Sequence, residues 1–112
     1  MTSGTIQQPM GLHEVDTGIN GVVGYRYGEL KIVRVYNVTV TGTQHGYVRI
    51  GILPEALRPS TRIQFCMYDN GVNAFANSFV VQSRIDESNG SLDVWIFDDK
   101  LSVKATGIVC YV

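Results

Sequence analysis

Apolar and polar residues alternate over most of this chain, from Val22 onward. In the run Val48, Ile50 and Ile52, for example, apolar residues recur at every second position, which is the period of a β-strand. No window of about 11 residues shows helical periodicity. The alternation predicts these strands: Val22–Tyr27, Leu30–Thr41, Gly46–Ile52, Thr61–Tyr68, Phe75–Ile85, Ser91–Phe97 and Val103–Val112.

The strands predict an all-β domain. Segments rich in Gly, Asn and Asp separate them, as expected for turns. About seven short strands at this spacing predict an antiparallel β-sandwich or jelly-roll. Residues 1–21 are rich in Gly, Thr, Ser and Gln and show little periodicity, so we interpret them as a linker or N-terminal arm and assign the sandwich to residues 22–112.

The strand predicted at Leu30–Thr41 carries apolar residues on both faces. An unbroken alternation places one set on one face: Leu30, Ile32, Tyr36, Val38 and Val40. It places the remaining residues on the other: Lys31, Val33, Val35, Asn37, Thr39 and Thr41.

The dipeptide Asn89-Gly90 predicts a β-hairpin closed by a type I′ turn, since both residue types tolerate positive φ. A two-residue loop pairs positions whose numbers sum to 179. This register predicts the apolar-face pairs Ser83–Ile96, Ile85–Val94 and Glu87–Leu92, and the polar-aromatic pairs Gln82–Phe97, Arg84–Trp95 and Asp86–Asp93.

The polar-aromatic face is the best candidate for a binding site. Arg84 beside Trp95 predicts a cation–π pair, and Asp86 and Asp93 add hydrogen-bond acceptors. An exposed aromatic ring beside carboxylates suits a saccharide, because the ring packs against C–H groups while the carboxylates accept bonds from hydroxyls. The alternative is that Trp95 and Phe97 pack against a neighbouring subunit or a second sheet.

Other chemistry has little support. Asp86 and Asp93 lack an evident pocket to raise one pKa, and nucleophile, phosphate-loop and metal-ligand motifs are missing, so we expect no enzyme, cofactor or metal site. The net charge of −1 does not suggest nucleic-acid binding, and no apolar run is long enough to insert in a membrane. Cys66 and Cys110 are predicted to be buried, reduced thiols.

The segment Leu53-Pro54-Glu55-Ala56-Leu57-Arg58-Pro59 is the most distinctive motif. Its two prolines stiffen both ends of a turn between strands. It resembles the "LPEGYRP" segment in small C-terminal β-domains of bacteriophage tail-fibre and baseplate proteins, with Ala56-Leu57 where Gly-Tyr is common. The order of the surrounding motifs is also similar: Val33–Asn37 and Gly46–Gly51 before it, Gly90–Val94 and a terminal strand after it.

The resemblance implies a homotrimeric β-sandwich in a phage or prophage virion tail, assembled in the bacterial host cytoplasm. Such domains bind bacterial surface saccharides or dock other tail and baseplate proteins. Trimerisation also suits a 12.4 kDa chain with apolar groups on both strand faces. We therefore expect saccharide recognition, with a structural connector or an enzyme-borne carbohydrate-binding module as alternatives. The expected saccharide contacts are Trp95, Arg84, Asp93 and Asp86, joined by Asp69, Asn70 and Asn77 if the site lies between subunits.

Overall fold

The structure, a computed structural model, describes residues 11–42, 46–70, 79–96 and 102–112. These residues form one antiparallel sheet that curls into a half-barrel, in the order β1-β2-β3-β8-β5-β6-β7-β4. The strands are β1 (His13–Val15), β2 (Val22–Tyr27), β3 (Leu30–Thr41), β4 (Gly46–Ile52), β5 (Ile63–Asp69), β6 (Phe79–Ile85), β7 (Ser91–Ile96) and β8 (Ser102–Tyr111). The antiparallel all-β prediction is confirmed, and all seven predicted strands are present among the described residues, with small changes at their ends. Residues 75–78 and Phe97, which were also predicted as strand, lie outside the described residues.

Strand β1 lies within the stretch interpreted as a linker or arm. It pairs with β2 through His13 opposite Arg26 and Val15 opposite Gly24, and so extends the sheet by one strand. Three residues are too short for a recognisable alternation. In the described part of the chain, no helix has the length and apolar character needed to span a membrane.

The concave face of the sheet holds the hydrophobic core. Side chains from β2, β3 and β5 to β8 point into it and are joined by Leu53 and Leu57, which follow β4. The buried core residues are Val22, Val33, Val35, Val40, Leu53, Leu57, Met67, Val81, Ile85, Leu92, Val94, Ile96, Val103, Ala105, Val109 and Tyr111.

The Leu53–Pro59 segment crosses the open side of the half-barrel. A single 3₁₀ turn, Glu55–Leu57, directs Leu57 into the core between two extended flanking residues, Pro54 and Arg58. Leu57 occupies the space beside Gly24 that a Cβ there would need. Apolar burial therefore fixes this crossover.

A β-bulge in β3 overturns part of the face assignment. The β3–β8 register shifts between Val35 and Val38, and Asn37 adopts a φ of 51°. The extra residue reverses the alternation, so Val33, Val35 and Val40 all point into the core. The prediction that placed Val33 and Val35 on the opposite face from Val38 and Val40 is wrong for this reason.

The β6–β7 hairpin forms, but its predicted register is wrong by two residues. Observed pairs are Ser83–Val94, Arg84–Asp93 and Ile85–Leu92, with residues 87–90 in the loop. Thus Arg84 does not lie opposite Trp95, nor Ile85 opposite Val94, nor Asp86 opposite Asp93.

Local hydrogen bonds explain the longer loop. The Asp86 carboxylate accepts bonds from the Ser88 amide (2.8 Å) and the Ser88 hydroxyl (2.6 Å), while the Gly90 amide donates to the Asp86 carbonyl (2.9 Å). Only Gly90 of the two predicted turn residues has positive φ, so no type I′ turn forms at Asn89-Gly90. A shift of two residues nevertheless keeps the paired side chains of β6 and β7 on their predicted faces, while Phe97 lies outside the described residues.

The prediction that both cysteines are buried is wrong, whereas the prediction that they are reduced thiols is confirmed. Cys66 in β5 and Cys110 in β8 are both exposed free thiols. Each points to the convex face, because Met67 and Tyr111 beside them point into the core.

Tyr111 provides a test of the crossover. Its hydroxyl donates a hydrogen bond to the Leu57 carbonyl, and burial raises its pKa well above the ordinary value of 10.0. Because the folded state favours the neutral phenol, stability should be fully present below pH 10 and fall above it. Tyr111→Phe should lower the free energy of unfolding at pH 7 by about 1–3 kcal/mol and weaken this alkaline loss.

Urea unfolding of both proteins from pH 7 to pH 11 measures this effect. Tyr27→Phe, at an exposed position on β2, is the control and should change little. Equal stability of Tyr111→Phe and the parent at every pH would contradict this role of the Tyr111 hydroxyl.

Candidate functional site

The convex face of β6, β7 and β4 brings five polar and aromatic side chains together. The β4–β7 register sets Tyr47 opposite Trp95 and Arg49 opposite Asp93, and the β6–β7 register sets Arg84 on the other side of Asp93. We call these residues the aromatic–arginine cluster: Tyr47, Arg49, Arg84, Asp93 and Trp95. β4 is the last strand of the sheet, so the cluster lies at its edge.

Asp93 is the buried centre of the cluster, with only 6% of its surface exposed. One carboxylate oxygen accepts a hydrogen bond from the Ser91 hydroxyl (2.6 Å), and the other accepts one from Nε of Arg84 (2.9 Å). Arg49 Nε donates to the same Ser91 hydroxyl (2.9 Å). The carboxylate thus positions one arginine directly and the other through Ser91.

The aromatic part of the cluster is a Tyr47–Trp95 pair. Their rings meet edge to face, with centroids 5.0 Å apart and planes at 80°. The Arg84 guanidinium carbon lies 3.8 Å from the centroid of the Tyr47 ring. The cation–π contact predicted for Arg84 therefore uses Tyr47, because the observed register places Asp93 rather than Trp95 opposite Arg84.

Asp86 lies outside the cluster, in the β6–β7 loop. Hydrogen bonds from Ser88, then the charges of Arg62 and Arg84, hold the pKa of this exposed carboxyl below its ordinary value. Its carboxylate also forms an ion pair with Arg62, at 3.7 Å. The loop bonds indicate that Asp86 shapes the hairpin.

Asp69 and Asn70 lie at the far end of β5 from Gln64, the residue that pairs with Arg84. Asp69 is buried and accepts a hydrogen bond from the Lys104 amide (2.9 Å). Asn70 donates to Asn37 at the β3 bulge (3.0 Å). The structure thus separates both residues from the cluster within one chain, while Asn77 lies outside the described residues.

Tyr47 and Arg49 are the cluster residues that the sequence did not predict as ligands. The alternation with Val48 and Ile50 places them on the polar face of β4. The alternation does not predict which strand lies beside β4. The observed neighbour is β7, which is about forty residues away along the chain.

The rest of the convex face, on β2, β3, β8, β5 and β6, carries a group of apolar residues beside polar ones such as Arg34 and Lys104. Tyr68 and Ile108 are each 60% exposed and Val80 is 53% exposed. We call this region the outer apolar surface: Val23, Tyr25, Ile32, Tyr36, Cys66, Tyr68, Val80, Ile108 and Cys110. It reaches the cluster along β6, where Val80, Gln82 and Arg84 point to the same side.

Within the described ranges, no group of three or more His, Cys, Asp or Glu side chains is arranged to hold a metal ion. Comparison of the chain with protein-family models and with curated protein sequences gave no match.

The Asp93 contacts lead to a stability prediction. Asp93→Asn removes the charge that holds Arg84, and we expect it to lower the free energy of unfolding by about 1.5–3 kcal/mol. Asp86→Asn is the matched control: the amide oxygen can still accept the Ser88 bonds, so the loss should be smaller. Denaturant unfolding of both variants at pH 7 measures the difference, and an equal loss in both would contradict a central role for Asp93.

Proposed function

We propose that this chain is a tail or baseplate domain of a phage or prophage and recognises the host surface by binding saccharide at the aromatic–arginine cluster. The observation that carries the proposal is the Tyr47–Trp95 pair beside two arginines at the sheet edge. Aromatic rings next to fixed hydrogen-bond donors are the two elements of a sugar site.

Each part of the cluster has a role in this proposal. The partly buried rings of Tyr47 and Trp95 supply apolar contact for the C–H groups of a sugar. Arg84 and Arg49 supply N–H donors for its oxygens. Asp93 is buried and both of its oxygens accept bonds within the protein, so we assign it the role of positioning the arginines.

The resemblance to phage tail domains also supports the proposal. The Leu53–Pro59 segment follows β4 and leads into β5, and a β-strand, β8, comes late in the chain. This is the order of elements that the resemblance implies. The virion tail, with other tail or baseplate proteins as neighbours, is the proposed location.

The outer apolar surface supports assembly into a homotrimer. A covered tyrosine buries about 150–250 Å², so Tyr36 and Tyr68, each exposed by more than half, together with their aliphatic neighbours amount to several hundred Å². Exposed apolar patches of that size mark interaction surfaces. Contact between convex faces of neighbouring copies would remove these apolar side chains from water.

The same surface favours a second candidate function. A structural connector would use Tyr68, Ile108 and their neighbours to hold other baseplate proteins and would bind no saccharide. The two functions differ in which part of the convex face is essential, the cluster or the outer apolar surface.

Trp95→Ala and Tyr47→Ala test the proposed site. Each should abolish binding to the saccharides that the parent protein captures on an array of bacterial surface polysaccharides, because each removes one ring of the pair. Tyr27→Ala removes an exposed tyrosine far from the cluster and should bind as the parent does.

Thermal unfolding and light scattering check that each variant retains its fold and mass. Unchanged binding by folded Trp95→Ala and Tyr47→Ala would contradict the site. A parent protein that captures no saccharide on the array would favour the connector.

Assembly has its own test. We expect light scattering behind a sizing column to give the mass of three chains, and Tyr68→Lys or Ile108→Lys to reduce it, since each places a charge in the outer apolar surface. Leu12→Lys, at an exposed leucine outside the sheet, is the control and should leave the mass unchanged. A monomeric parent would contradict the trimer.

A further inference from the structure

The aromatic–arginine cluster holds two guanidinium groups and one carboxylate. We infer that its ligand is an anionic saccharide, one that carries a carboxylate or phosphate group, and that Arg49 binds this group. The inference rests on the proposed function and adds the chemical class of the sugar.

Arg84 is already neutralised. Its Nε lies 2.9 Å from a carboxylate oxygen of Asp93, and its guanidinium is stacked on the Tyr47 ring. Arg49 is joined to the Asp93 carboxylate only through the Ser91 hydroxyl. The negative charge of Asp93 is therefore balanced directly by Arg84 and not by Arg49.

Arg49 is the surplus cation. It is exposed, and among the described residues no carboxylate lies within ion-pair distance of its guanidinium. Its one hydrogen bond in that part of the chain joins Nε to the Ser91 hydroxyl. Its two terminal nitrogens form no hydrogen bond with the described residues.

The position of Arg49 suits capture of an anion beside a sugar ring. Arg49 and Tyr47 point to the same side of β4, and the Arg49 guanidinium is bonded to Ser91 on the side of Asp93 away from Trp95. A saccharide of two or more residues on the aromatic pair would therefore extend along the strands towards this guanidinium. The bond to Ser91 fixes the orientation of the guanidinium plane before a ligand arrives, which lowers the entropy lost on binding. A guanidinium fork matches the paired oxygens of a carboxylate or phosphate.

A neutral sugar would leave this charge unused. The chain as a whole has a net charge of −1, so the protein has no general excess of positive charge that would attract anions everywhere on its surface. Arg49 belongs to the cluster and has no carboxylate partner among the described residues. It selects among saccharides by adding a charge-assisted hydrogen bond that only an anionic ligand can complete.

Three matched probe classes on one array test the inference: uronate-containing oligosaccharides, the same oligosaccharides after carboxyl reduction to neutral sugars, and phosphate-bearing oligosaccharides. We expect capture of one anionic class and at least about tenfold weaker capture of the neutral counterparts. Raising the ionic strength from about 0.1 M to about 1 M shortens the Debye length from about 10 Å to about 3 Å and should weaken capture further.

Arg49→Gln should remove the preference for the anionic class by lowering its affinity about tenfold, with little effect on neutral sugars. Arg34→Gln is the control: it removes an exposed arginine on β3 and should retain the preference. Equal capture of anionic and neutral probes, or an unchanged preference in Arg49→Gln, would overturn the inference and leave the saccharide site in place. Capture of no probe in any class would instead overturn the proposed function.

Discussion

The burial of Leu57 is the contact on which the rest of this structure depends. A curled sheet of eight strands leaves one side of its core open, and the Leu53–Pro59 segment covers that side on its way from the edge strand β4 to the interior strand β5. Leu57 fits beside Gly24 on β2, and its carbonyl accepts the hydrogen bond of Tyr111 on β8. One short segment therefore links the edge strand β4 to β2 and β8 in the opposite half of the sheet, and the prolines limit the chain entropy that this ordering costs.

Because the concave face is filled by the hydrophobic core, the convex face is the face of the sheet that can contact a ligand or another protein. It divides into an apolar region on β2, β3, β8, β5 and β6 and a polar-aromatic region on β6, β7 and β4. The apolar region suits contact with other protein chains, and the polar-aromatic region suits a hydrated ligand. Since both lie on one face, assembly through the first would bring the second close to neighbouring subunits.

The sequence predicted the strands and much of the site, because alternation reports side-chain direction. Trp95, Arg84 and Asp93 were assigned to one face correctly even though the hairpin register was wrong, since a shift of two residues preserves the face. Three features could not be predicted. The bulge at Asn37 depends on bonds to Thr106 and Asn70, the longer β6–β7 loop on side-chain bonds of Asp86, and the contribution of Tyr47 and Arg49 on a long-range pairing of β4 with β7.

The central claim is that the convex face at Tyr47 and Trp95 binds saccharide. Trp95 is the only tryptophan in the chain, so its indole N–H gives one identifiable signal in a proton–nitrogen NMR spectrum. The most direct measurement is a titration of that signal with the saccharide that the parent protein captures best. We expect a saturable shift of the Trp95 signal, with the same dissociation constant as that measured for saccharide binding to the parent protein. Saturable binding that leaves the Trp95 signal unmoved would contradict this claim.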